Sequence, residues 1–294
     1  MTTTTAQRGS YGQMAAPGLF VLLWSTGFIG GKFGLPYAEP LTFLLWRYGF
    51  VTLLLLMLAL LMRAPWPASM AQTAHIAVSG VLVNGLYIGG VFSAIYHGVP
   101  TGIVSLIVGL QPLFTAVVAG RVLGEKVYPR QWVGFGLGLV GVLLVLMDKI
   151  SFAGGSPVGV GMSVLALFGI TAGTLYQKRF CAHLDLRSGG VIQFGASTLT
   201  MALLAPLCET MRVQWTGPFM FAMAWLVLVL SLGAISLLHV LIRRGEASRV
   251  ASLFYLVPPV TSLLAFFCFG ERLGLTALAG MFVTVTGVAL AVRR

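Results

Sequence analysis

Residues 109–126 read GLQPLFTAVVAGRVLGEK, and residues 255–272 read YLVPPVTSLLAFFCFGER. Each stretch has a proline near its start, an apolar run, and a closing Gly-Glu followed by a basic residue. Gly124 and Gly270 stand 146 positions apart in a chain of 294, close to half its length. Sliding the chain along itself by that offset, without gaps, lays Pro112 on Pro258, Thr115 on Thr261, Ala119 on Ala265 and Glu125 on Glu271. It also lays Gly134 on Gly280, Gly141 on Gly287 and Lys32 on Lys178. The correspondence is strong from about residue 104 to 144 and weak over the first three apolar runs of each half. The chain therefore reads as a duplication, with units 1–150 and 151–294.

Composition says what kind of unit was duplicated. Hydrophobic residues make up 58% of the chain and charged residues 9%. A soluble domain carries about 25% charged residues, so this supply cannot cover a globule in water. It suffices for a molecule whose middle faces lipid. The net charge of +11 does not point to nucleic acid, because the basic residues form short clusters between long apolar runs and no basic patch with interleaved aromatics appears. Cys181, Cys208 and Cys268 are scattered in or beside apolar runs, without metal or redox spacing, and read as packing residues. No cofactor or metal is expected. The polar opening MTTTTAQRGSYGQM is expected to be mobile, followed by an uncleaved first helix from Pro17.

A helix needs about 20 apolar residues to cross the hydrocarbon. Ten candidates lie between the charge clusters and the Gly/Pro breaks: approximately 15–33, 39–62, 72–96, 99–121, 129–147, 157–177, 188–208, 217–241, 247–268 and 274–292. With the N-terminus in the cytoplasm, thirteen Lys and Arg fall inside. These are Arg8, Arg63, Arg121, Lys126, Arg130, Lys178, Arg179, Arg187, Arg243, Arg244, Arg249, Arg293 and Arg294. Four fall outside: Lys32, Lys149, Arg212 and Arg272. That imbalance predicts both termini on the cytoplasmic side. Five spans per half is an odd number, so the second half enters the membrane in the opposite sense. The expectation is an all-α integral membrane protein, ten helices as two inverted five-helix repeats (5+5) around a central cavity. Inverted repeats serve alternating access in many secondary transporters.

The stretch LLWSTGFIGGKFGLPYAEPLTFLLWRYGF, with Trp24, Lys32, Pro40 and Arg47, resembles the opening of the EamA family of the drug/metabolite transporter superfamily. GLQPLFTAVVAGRVLGEKVYPRQWVGFGLGLVGVLLV and RRGEASRVASLFYLVPPVTSLLAFFCFGERLGLTALAGMFVTVTGVALAV resemble its two signature helix pairs. The resemblance covers nearly the whole chain. It implies a cavity lined by the first four helices of each half, with the fifth and tenth to one side. It further implies export of small metabolites, often amino acids, as in YddG-type exporters, from a bacterial inner membrane. In the second half Ile170 and Gln193 stand where Trp24 and Arg47 stand in the first, so strict two-fold symmetry of the site is not expected.

All seven carboxylates sit at helix ends. Intramembrane acids commonly mark proton or cation relays; their absence from the spans favours facilitated export, with proton antiport through a histidine as the alternative. Trp24 and Phe28 share a face at i, i+4, as Asn84 and Tyr87 do at i, i+3. The aromatics read as substrate stacking or packing, and Asn84 must face protein or a watery cavity. Gln111 and Gln193 are deep amides that could bond an amino-acid backbone. Ser236 and His239 lie near one face of the eighth span, and Ser248, Ser252, Tyr255 and Ser262 form a stripe on the ninth; both groups are expected to face the cavity, with Ser236, His239 and Tyr255 as candidates for substrate contact. Arg47, about 12 Å into the second span, could fork onto a carboxylate, tie to backbone carbonyls, or snorkel to the headgroups; a structural tie is the expected role. Pro112, Pro258 and Pro259 interrupt helices and are expected to give curvature or a hinge. Glu125 and Glu271 are expected to pin short turns. Gly85 with Gly89, and Gly134 with Gly138 and Gly141, have the spacing for close helix packing.

A membrane enzyme would need a chemical constellation, and neither H-E-x-x-H nor a phosphate-binding Gly-Lys loop occurs. A channel would need a filter or charge rings, for which the loops are short. A multidrug exporter remains an alternative within the same superfamily. The partners expected are a small-molecule substrate and the bilayer, with the chain a monomer or homodimer.

Overall fold

The computed structural model describes residues 4–99, 104, 107–147, 156–182, 185–244, 247–269 and 274–292. They form α1 (Thr4–Gly34), α2 (Pro40–Leu61), α3 (Met70–Tyr96), α4 (Gln111–Leu123), α5 (Pro129–Leu146) and α6 (Pro157–Phe180). Then follow α7 (Leu186–Cys208), α8 (Gly217–Arg243), α9 and α10 (Leu275–Val292). α9 joins Ala247–Ser252, a 3-10 turn at Leu253–Leu256, and Val257–Phe269. Among the described residues the only β pairing is an isolated bridge, Ala38 with Val213. Seven helical stretches are long and apolar enough to cross a membrane, and shorter apolar helices lie at Ala16–Gly31, Gln111–Leu123 and Pro129–Val145. Leu53, Leu61, Leu203, Leu207, Phe267 and Phe282 are exposed on the outside while Arg47, Asn84, Gln111 and Gln193 are buried. That is the distribution of a molecule solvated by lipid.

Helix starts follow local chemistry. Proline opens α2, α5 and α6, where its missing N–H has no intrahelical role. Ser69, Ser156 and Thr216 accept from the backbone N–H three residues on, capping α3, α6 and α8. The opening residues depart from expectation: α1 starts at Thr4 and places Pro17 inside the helix. Extending a helix already nucleated by the apolar segment adds a hydrogen bond per residue without a new nucleus.

Helices 146 residues apart run in opposite directions. The start of α2 meets the end of α7, where Leu41 N and Thr42 N donate to Glu209 at 2.7 Å each. The residues after α2 meet the start of α7, where Ser188 Oγ donates to the carbonyl of Pro65. Midway, the hydroxyls of Thr52 and Thr198, themselves 146 apart, stand 3.3 Å from each other. α5 and α10 repeat the pattern. Their backbones touch at Gly134 with Gly287 and at Gly141 with Gly280; a half-turn exchanging residues 146 apart turns one contact into the other. A Cβ at any of these glycines would stand 2.7 Å or less from backbone atoms of the facing helix, so only glycine permits the approach. The glycine stripe of α5 is thus spent within the chain. On α3, Gly85 and Gly89 meet only ordinary contacts. The close crossings are at Gly80, against the backbone of Gln193, and at Gly90, against Met162.

Two irregularities also recur at the same offset. α3 is π-helical over Val81–Ile88 and α8 over Leu226–Ala234. α9 is broken by its 3-10 turn at Leu253–Leu256. At the matching place before α4, Leu110 N bonds back to Ile107 O, a three-residue step. Pro112 and Pro258 each take the second position of the helix that restarts after the break. They therefore follow a break, where mid-span kinks were expected, because a residue without an N–H fits the first turn of a restarted helix.

Candidate functional site

The deepest polar and aromatic groups collect around the breaks and the π segments. Trp24 on α1 stacks on Tyr87 in the π segment of α3, with ring centroids 6.3 Å apart and planes 7° from parallel. Phe254, in the 3-10 turn of α9, meets Trp24 edge-on at 5.3 Å, and Phe20 closes the group at 5.4 Å from Phe254. Next to Trp24, the Ser25 hydroxyl lies 3.4 Å from the carbonyl of Val257, so α1 grips α9 at its break. Asn84 is buried three residues before Tyr87; its backbone carbonyl accepts from the Tyr48 hydroxyl at 2.8 Å, and among the described residues its side-chain oxygen has no hydrogen-bond partner. Trp24 and Tyr87 are thus brought together, with Asn84 three residues before Tyr87 in the same π segment. Phe254 joins them without any periodic signal to single it out among the apolar residues of α9.

The remaining candidates are distributed. Gln111 joins α4 to α6 through Thr174, at 3.4 Å, and its side-chain oxygen is buried without a partner. Gln193 on α7 donates to Ser79 on α3 at 2.6 Å. Its repeat counterpart Arg47 is fully buried on α2 and donates through Nε and Nη2 to Ser231 on α8, at 3.2 and 3.1 Å. Among the described residues Arg47 bonds no carbonyl; buried, it holds a hydroxyl across the bundle. Tyr255 lies apart from the aromatic group, its ring against Gly138 on α5 and its hydroxyl buried without a partner. Ser236 is half-buried and His239 buried on α8. Much of the serine stripe on α9 is spent locally, Ser248 on Glu125 and Ser252 on the carbonyl of Arg249. Glu125 accepts from Ala247 N at 2.9 Å and so caps α9. Glu271 and the side chains of Phe28 and Lys32 lie outside the described residues.

The two ends of the bundle differ. At one, Glu209 caps α2, Glu39 accepts from Thr210 N and Oγ1 at 2.8 and 2.7 Å, and Gln214 N bonds Tyr37 O. At the other, Lys178 Nζ donates to Ile242 O at 3.0 Å and Arg179 to Val122 O. There His75 on α3 stacks on Phe180 at 4.5 Å, its Nδ1 2.6 Å from the Tyr176 hydroxyl. The sequence reading did not single out His75, which lies near a helix start in a polar stretch. Arg121, Lys178 and Arg179 stand in the last helical turns at this second end, and the helices run between the two.

Comparison with known proteins gives the geometry a context. The chain is 27% identical over 279 residues to "Uncharacterized transporter YvbV" of Bacillus subtilis, covering 92% of this chain and 88% of that protein. It is 24% identical over 280 residues to the "Probable amino-acid metabolite efflux pump" of Escherichia coli, covering 92% and 91%. A solved crystal structure matches with TM-score 0.76 at 21% identity, over 94% of each chain, which speaks to the fold alone. The model of the EamA-like transporter family matches twice, at residues 18–147 and 157–293. With nearly its whole length matched, this multi-pass membrane protein belongs to the EamA-like transporter family.

Proposed function

We propose that the protein exports small metabolites, amino acids above all, by alternating access between two inverted five-helix halves. The observation that carries the reading is the antiparallel pairing of helices 146 residues apart, with Thr52 on Thr198 and the two crossed glycine contacts of α5 and α10. Two like bundles threaded in opposite senses support two states of similar energy, one open to each side. The halves are residues 1–150 and 151–294. The three shorter apolar helices complete ten crossings, and the basic end, with both termini, faces the cytoplasm of a bacterial inner membrane. The breaks before α4 and within α9, with Pro112 and Pro258 behind them, and the π segments of α3 and α8 are the hinges, since such irregularities leave backbone bonds loosely committed. Trp24, Asn84, Tyr87, Gln111 and Gln193 contact substrate. Amino acids are favoured because the E. coli relative carries that name. Facilitated flux is favoured because Glu39, Glu125, Asp185 and Glu209 all lie at helix ends.

The test is counterflow in proteoliposomes with labelled threonine, methionine and phenylalanine. Uptake of at least one, abolished when the internal unlabelled pool is omitted, supports the reading. No exchange of any of them overturns the amino-acid reading and leaves the family's other metabolites and drugs. Flux that follows an imposed pH gradient, and is lost in His239→Ala, would replace the facilitated mechanism with proton coupling.

A further inference from the structure

This inference rests on the export reading and specifies the substrate's chemistry. The Arg47 guanidinium is fully buried, about seven residues into α2 from Pro40. Its hydrogen bonds run from Nε and Nη2 to a single acceptor, the Ser231 hydroxyl. That hydroxyl donates its own proton to Leu226 O at 3.0 Å, following the π turn. Among the described residues buried Nη1 has no hydrogen-bond partner. The Tyr48 ring lies beside it, with its centroid 5.7 Å from the guanidinium carbon. Among the described residues no carboxylate faces the group: Glu39 and Glu209 are committed to Thr210 and to the start of α2. An ionised group away from water is costly unless it is paired, and a guanidinium holds five N–H donors in a planar fork. Here two of the five serve a neutral oxygen.

The repeat counterpart sharpens the point. At position 193 the same place in the fold is held by a neutral glutamine, bonded across the bundle to Ser79 as Arg47 is to Ser231. A neutral side chain is therefore sufficient for the cross-bundle tie, and the charge at position 47 is surplus to it. Tyr48, next in sequence, bonds the carbonyl of Asn84, which links the cation to the π segment bearing Tyr87. We propose that Arg47, held by Ser231, receives the carboxylate of the transported metabolite through its unpartnered Nη1 edge. The protein then selects free carboxylates against the same compounds with the carboxyl blocked, since a fork of this kind takes two oxygens at once.

The experiment is competition in counterflow by wild-type proteoliposomes. Labelled threonine, methionine or phenylalanine is the tracer, and the competitor is the same amino acid or its carboxamide. The free acid is expected to compete at a concentration lower by about thirtyfold or more. In Arg47→Gln, which places the residue of position 193 at position 47, that ratio falls towards one. Equal competition by acid and amide in wild type overturns the assignment of Arg47 and leaves the export reading standing. Absence of counterflow with all three overturns the amino-acid export reading on which this inference rests, and the inference with it. Because the variant can fail to fold, the melting temperature of the wild type supplies a second readout. Saturating acid raises it by linkage and equimolar amide does not. A rise as large with the amide overturns the proposal.

Discussion

α1 with α2, and α6 with α7, occupy matching places in the 146-residue repeat, yet they carry different chemistry. α1 presents Trp24 to Tyr87 and Phe254, whereas α6 presents Ile170 at the same place. α2 carries a buried cation and α7 a buried amide. Glu39, before α2, accepts from Thr210 across the bundle; its counterpart Asp185, before α7, accepts from Arg187 two residues on. What the two regions share is what packing demands: crossed backbones and a cross-bundle hydrogen bond to a serine. What differs is the chemistry of the buried groups, which the proposed substrate would meet. A duplicated frame with unequal furniture is what an asymmetric substrate requires.

The comparison is broken most severely where the shared frame is overfilled. Gly141→Leu and Gly280→Leu each drive a side chain into backbone that cannot move aside. Overpacking costs about 1–3 kcal/mol or more even where neighbours can yield. Both variants are expected to lose folded protein, and to similar degrees, read as monodisperse yield and melting temperature in detergent. A large loss in only one would show that the two contacts are not equivalent.

The unequal chemistry is probed by Trp24→Leu beside Ile170→Leu. The first removes the stacked and edge-on ring contacts, worth about 0.5–1.5 kcal/mol each; counterflow rate is expected to fall about tenfold. The second is a volume-conserving change and should leave the rate within a factor of about two. Equal losses would make Trp24 a packing residue. Smaller still are the caps. Glu125→Gln and Glu209→Gln each weaken a carboxylate bonded to a helix start, with an expected cost of about 1 kcal/mol of stability, measured by thermal melting.

The smallest effect belongs to Asp185. Hydrogen bonds from Arg187 hold its carboxyl below the ordinary value. A lowered folded value means that its contribution is complete above the unfolded aspartate value, about 3.9, and is lost as pH falls through the folded one. Melting curves at descending pH should therefore show a slight acid loss that Asp185→Asn abolishes. Glu39→Gln, by contrast, should loosen the contact with Thr210 at neutral pH.

The helices were legible because lipid demands long apolar runs, and the repeat because Gly-Glu and Gly134/Gly141 recur without gaps. The lipid setting and the family also followed from sequence. The start of α1 did not, since the polar residues before Pro17 carry no helix signal of their own. The π segments were equally invisible: VLVNGLYI and LVLVLSLGA have the composition of any buried helix. The candidate site divided along the same line. Trp24, Asn84 and Tyr87 stand out as aromatic or amide groups in apolar helices, and the structure stacks Trp24 on Tyr87. Phe254 does not stand out among the apolar residues of α9, and its position depends on a 3-10 turn. Tyr255 was assigned by helical spacing, and the same turn swings its ring onto Gly138. The carboxylate bonds of Glu125 and Glu209 join residues more than 120 positions apart, a distance that local patterning does not span.

The central claim is that matching segments of the two halves cross the bilayer in opposite senses. Trp66 and Arg212, both exposed and 146 residues apart, follow α2 and α7. In a background with Cys181, Cys208 and Cys268 replaced by serine, Trp66→Cys and Arg212→Cys are each challenged in intact cells with an impermeant maleimide. The account predicts that Cys at 212 labels at once and Cys at 66 only after permeabilisation. Labelling of both from the same side would contradict it.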